Sequence, residues 1–204
     1  DISGAPTTLP NAKGWYNADV TVHFDASDSL SGIDTLTHDE TLTIEGTGQS
    51  VTGIATDLAG NSASYTVGGI NIDKTNPIIT ASCDHPPNIN NWYNADVTVT
   101  FTATDALSGV ASVDSPITLG EGANQTVIGY ATDNAGNTAS CTESGINIDK
   151  TLPNISVLTP LEEAWIATDT ITVTWQANDA LSGIDHYEIM IDSGIWSNIC
   201  LLYT

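Results

Sequence analysis

Arginine is absent from this 204-residue chain. Lysine occurs three times against 25 acidic residues, for a formal charge of −22. Nucleic-acid backbones and anionic lipid surfaces need clustered basic side chains, so neither is an expected partner. No run approaches the roughly 18 apolar residues of a spanning helix, so membrane insertion is not expected. No leader-like N-terminal stretch is present, and the sequence reads as a mature or excised fragment. Helical periodicity is nearly missing. The histidines, His23, His38, His85 and His186, lack zinc-ligand spacing. There is no Gly-x-Ser-x-Gly elbow and no glycine-rich phosphate loop. These absences remove the usual catalytic constellations, and no enzymatic activity is expected.

Repetition is what the chain has. Trp-Tyr-Asn-Ala-Asp-Val at 15–20 returns at 92–97. Asp-Ser-Leu-Ser-Gly at 28–32 returns as Asp-Ala-Leu-Ser-Gly at 105–109 and 179–183. Ala-Thr-Asp-x-Ala-Gly-Asn occurs at 55–61 and 131–137, and Gly-Ile-Asn-Ile-Asp-Lys-Thr-x-Pro at 69–77 and 145–153. Landmarks in constant order at a period near 76 define an array. The expected units are residues 1–76, 77–152 and a truncated 153–204. Units this small bury only about 60–65% of their unfolded surface, so thin cores are expected.

Strand alternation runs through each unit. Val97, Val99, Phe101 and Ala103 point one way, and Thr98, Thr100 and Thr102 the other. Val20, Val22, Phe24 and Ala26 repeat this in the first unit, and Ile171, Val173, Trp175 and Ala177 in the third. Such a strand buries one face. Further short strands are expected over 41–44, 51–56, 62–67, 117–119, 126–132 and 138–142, separated by Gly, Asn and Asp clusters. This pattern predicts an all-β sandwich. Asp-x-Ala-Gly-Asn reads as a tight hairpin with Gly60 or Gly136 at positive φ.

Together these motifs resemble the bacterial and archaeal immunoglobulin-like repeats of surface proteins, adhesins and multimodular secreted enzymes. The resemblance implies tandem immunoglobulin-like β-sandwiches, two complete and one truncated, in an extracellular stalk, spacer or adhesive role. Two alternatives stand beside a surface-protein stalk. One is a spacer or carbohydrate-binding accessory module of a secreted polysaccharide-degrading enzyme. The other is a subunit of an extracellular filament.

Cys83 and Cys141 are both missing from the first unit, whose equivalent positions lie near Pro6 and Tyr65. Joint absence suggests a disulfide between the first and last strands; two independent buried thiols are the other reading. A bond closing that loop is worth at most about 4 kcal/mol in the chain-entropy model. Cys200 is left over. Asn124 and Asn154 head glycosylation sequons.

Sandwich topology predicts one more convergence. Asp105 follows the second unit's long strand, Asp133 and Asn137 lie in its hairpin, and Asp73 arrives on the entering linker. Three carboxylates and an amide oxygen there suit Ca²⁺, a hard cation taking 6–8 oxygens. The first unit offers Asp28, Asp57 and Asn61, with Asp1 as linker acid; the third offers Asp149 and Asp179. The competing reading gives these residues local turn-forming roles only. Trp15-Tyr16 and Trp92-Tyr93 invite sugar stacking on surface glycans, against the plainer role of starting a strand over the core edge. Expected partners are the neighbouring repeats and, through the truncated third repeat, further copies of the chain.

Overall fold

The computed structural model describes residues 1–159 and 172–190, and 197–199 as backbone. Ile171 and Cys200 lie outside the described residues. Every regular element among them is a strand. By contact density the chain divides into two compact units. One is Asp1–Ser82 with Val99–Ile117 and Val127–Glu143; the other is Cys83–Thr98 with Thr118–Thr126 and Ser144–Thr204.

The first repeat has seven strands: β1 (Ile2–Pro6), β2 (Trp15–Tyr16), β3 (Val20–Ala26), β4 (Ile33–Leu36), β5 (Glu40–Leu42), β6 (Gly46–Asp57) and β7 (Ser62–Ile72). They form a sheet ordered β1-β3-β5 and a sheet ordered β2-β7-β6-β4. Alternation works as expected on β3, where Val20, Val22 and Phe24 are buried and His23 and Asp25 are exposed. These residues meet Tyr16, Val67, Ile70 and Ile72 of the other sheet in one core. Each such side chain contributes about 1.5–3 kcal/mol by leaving water. The sheets approach closely at Phe24. A Cβ on Gly53 of β6 would lie 2.6 Å from its ring, so glycine is required there.

The second repeat follows with β8 (Ile78–Cys83), β9 (Val97–Thr104), β10 (Val110–Val113), β11 (Ile117–Leu119), β12 (Gly122–Asp133) and β13 (Thr138–Ile148). Its sheets are ordered β11-β9-β8 and β10-β12-β13. Phe101 repeats the role of Phe24, and a Cβ on Gly129 would lie 2.3 Å from its ring. A parallel bridge between Tyr93 and Ile148 stands where β2 meets β7 in the first repeat. The third segment shows β14 (Asn154–Thr159) paired with β15 (Thr174–Asn178), and β16 (Tyr187–Ile189) paired with β17 (Ser197–Ile199).

Two expectations change. β7 and β13 run on through Gly69 and Gly145, which adopt φ of 73° and 76°. On β7 the register of the β6 ladder slips beside this glycine. A bulge at this point carries β7 past position 67, where the expected strand stops. The expected Cys83–Cys141 bond is not formed: both are free, half-buried thiols. Cys83 ends β8 and Cys141 lies within β13, strands of different sheets.

Candidate metal centre and the hairpin seat

Asp105 begins a tight loop. Its Oδ1 accepts the backbone N–H of Leu107 (3.2 Å) and Gly109 (2.7 Å), and Gly109 sits at φ 77°. Asp133 opens the β12–β13 hairpin. Its Oδ1 accepts the N–H of Gly136 (2.7 Å) and Asn137 (2.8 Å), and its Oδ2 accepts Asn137 Nδ2 (2.8 Å). Asp73 follows β7. Its Oδ1 accepts Thr75 N (3.1 Å) and its Oδ2 accepts Ser108 N (2.9 Å). Asx turns thus build the loops, and one long-range bond ties Asp73 to the Asp105 loop.

The result is a triad. One carboxylate oxygen from each of Asp73, Asp105 and Asp133 lies within 4.8 Å of the others. Asp73 is 0% exposed and Asp133 2%. No described lysine or histidine is ion-paired with any of the three. Like charges this close in a partly dry site repel, and a bound cation or proton is the standard remedy.

Asn137 has a role the sequence did not suggest. Its Nδ2 donates to Asp133 Oδ2, to the Asp73 carbonyl (2.9 Å) and to the Thr75 carbonyl (3.2 Å). With its N–H₂ group facing three acceptors, Asn137 clamps the linker to the hairpin.

The other expected acids are arranged differently. Asp28, Asp57, Asn61 and Asp1 line one cleft of about 180 Å³, but these carboxylates do not form a comparably close triad among the described residues. Backbone N–H groups, Gly32 foremost, hold the Asp28 carboxyl below its ordinary pKa. The Asn61 side-chain amide does the same for Asp57. In the third segment Asp149 repeats Asp73: its Oδ2 accepts Ser182 N (2.9 Å) and its Oδ1 accepts Thr151 N (3.0 Å). Ser182 is the main cause of its lowered pKa. Asp179 repeats Asp105, accepting Gly183 N at 2.8 Å. Asn124 and Asn154 are both exposed.

A second feature was not read from sequence. Asn11 Nδ2 donates to the carbonyls of Asn134 (2.8 Å) and Ala135 (3.0 Å), gripping the tip of the β12–β13 hairpin. Lys13 Nζ reaches Asn134 Oδ1 at 2.6 Å. On its other side the tip is held by its own repeat. Asn134 N donates to the Gly109 carbonyl (2.8 Å), and Asn134 Nδ2 to the Ser108 carbonyl (2.7 Å). The signal available was the spacing Asn-x-x-x-Trp-Tyr, present at Asn11 and again at Asn88. Trp15 and Trp92 are half-buried beside the core residues Tyr16 and Tyr93.

No family model matches the sequence, and no curated protein matches it. Among solved structures it is similar to fibronectin(III)-like modules of Clostridium thermocellum CbhA. The match has 13% identity and a TM-score of 0.34, and covers 72% of this chain and 95% of that one.

Proposed function

We propose that this chain is a non-catalytic extracellular module, a stalk or spacer built from successive sandwiches, stiffened by Ca²⁺ where the linker enters the second repeat. The observation behind this reading is the meeting of Asp73, from the linker, with Asp105 and Asp133 within 4.8 Å. The donor set fits the ion: hard carboxylate oxygens, no nitrogen or sulfur, and loops rich in backbone carbonyls. Asp73, Asp105 and Asp133 would hold it, and it would supply charge neutralisation and a cross-link between linker and loops. A stalk needs that cross-link, because a free linker lets neighbouring units swing. The extreme acidity agrees, since bound cations relieve the self-repulsion of a chain at −22.

The test is a thermal melt in excess Ca²⁺ and in chelator. At free Ca²⁺ 100-fold above Kd the folded state gains about 2.7 kcal/mol. For units of this size that raises Tm by about 10 °C or more. Asp105→Asn should abolish most of the increment. An unchanged Tm rules out a tight site and leaves the three acids as turn formers.

A further inference from the structure

The filled seat at Asn11 has an open counterpart. Asn88 builds the same loop as Asn11. Asn88 Oδ1 accepts the N–H of Asn90 (2.9 Å) and Trp92 (2.9 Å), as Asn11 Oδ1 accepts those of Lys13 (2.9 Å) and Trp15 (3.1 Å). Asn88 N donates to the Trp92 carbonyl at 2.8 Å, matching Asn11 N to Trp15 at 2.8 Å. Asn91 takes φ 60° where Gly14 takes 81°. Opposite Asn88 stand Ser182 and Gly183, the repeat equivalents of Ser108 and Gly109. In the first seat the Asn134–Ala135 tip fills the space between these walls. In the second, Asn88, Asn90, Trp92, Ser182 and Gly183 line a cleft of about 340 Å³. The described residues contain no third Asp-x-Ala-Gly-Asn hairpin, and Asn88 Nδ2 donates to none of them.

We infer that this cleft is a hairpin receptor. It takes the tip of an Asp-x-Ala-Gly-Asn β-hairpin, and Asn88 grips two successive tip carbonyls as Asn11 does. The occupant is a hairpin joined in cis to the sandwich that contributes Ser182 and Gly183, because in the filled seat the Ser108–Gly109 loop and the hairpin belong to one repeat. The same hairpin brings an aspartate towards Asp149 and Asp179, as Asp133 comes to Asp73 and Asp105. The inference rests on the stalk reading, in which each repeat latches the next, and not on Ca²⁺.

The test joins a second copy of residues 118–148 behind Thr204 and is run in chelator, so calcium binding cannot decide it. A tethered segment acts at a local concentration in the millimolar range, enough for a small contact. The readout is hydrogen exchange of the Asn88 side-chain amide by NMR, with the Asn11 amide as internal reference for a gripped latch and a folded chain. The extended protein should slow Asn88 exchange to near that of Asn11, while the original chain exchanges freely. Scrambling the appended Asp-Asn-Ala-Gly-Asn should restore fast exchange. Asn88→Asp keeps the acceptor bonds of the loop and removes the donor; in the extended chain it should return Trp92 fluorescence to that of the unextended protein. Free Asn88 exchange beside a protected Asn11 overturns the inference. So does protection that survives scrambling. Equal protection from an untethered hairpin peptide would reassign the occupant to a separate chain and overturn the cis assignment.

Discussion

Asp57 and Asp133 head the same five-residue hairpin. Each donates its backbone N–H to the asparagine four residues on, and each accepts that asparagine's N–H and side-chain amide. Their surroundings differ. Asp133 is 2% exposed, whereas Asp57 is only partly covered and its neighbour Leu58 is 69% exposed. The difference comes from what lies over the hairpin. The Asp73 linker and the Asn11 loop close over the second hairpin, and nothing described plays that part at the first. Local sequence builds the turn; its electrostatic character depends on a segment some sixty residues away.

The largest expected effects test where the two repeats are alike. Phe24→Ala and Phe101→Ala should each cost about 3–5 kcal/mol, since each ring fills the space left by a facing glycine. Denaturant titration should give similar losses; a gap of several kcal/mol would mean the cores are not equivalent. Next come the hairpins, where the repeats should part. Asp133→Ala removes a buried carboxylate that accepts the part-buried bonds from Gly136 N, Asn137 N and Asn137 Nδ2, and should cost about 2–3 kcal/mol. Asp57→Ala should cost clearly less, because water reaches its donors. Equal losses would erase the comparison. The smallest effect concerns acid. Asp28 and Asp57 have lowered pKa values. Their contribution is therefore present above the unfolded carboxylate pKa of about 4 and is lost as pH falls through their lower folded values. Carboxyl NMR titration should place both midpoints below about 3.9. Midpoints at or above that value would contradict the Asx geometry.

Much of this was readable in advance where the physics is local. Alternation on Val20–Ala26 and Val97–Thr104, the positive φ of Gly60 and Gly136, and the Asx turns at Asp28, Asp105 and Asp179 depend on residues a few positions apart. Convergence of Asp73, Asp105 and Asp133 was also legible, because repeat order plus sandwich topology brings those loops to one end. The seat at Asn11 was not, since its bonds reach 123 and 124 residues along the chain and no local rule marks an asparagine as a donor to a distant carbonyl. The direction of Asn137 was hidden for a similar reason: an amide offers an oxygen and a nitrogen, and only its neighbours choose between them.

By itself the sequence determined the all-β class, the repeat order, the turns and the acidic character, because alternation and turn chemistry act within a few residues. The tertiary structure decided the rest. It ran β7 and β13 through their glycines, left Cys83 and Cys141 as free thiols and turned Asn137 into a clamp. It also buried Asp133 while leaving its twin Asp57 partly open. Burial and hydrogen-bond partners depend on which distant segments meet, and a one-dimensional repeat shows the same letters whether or not anything covers them.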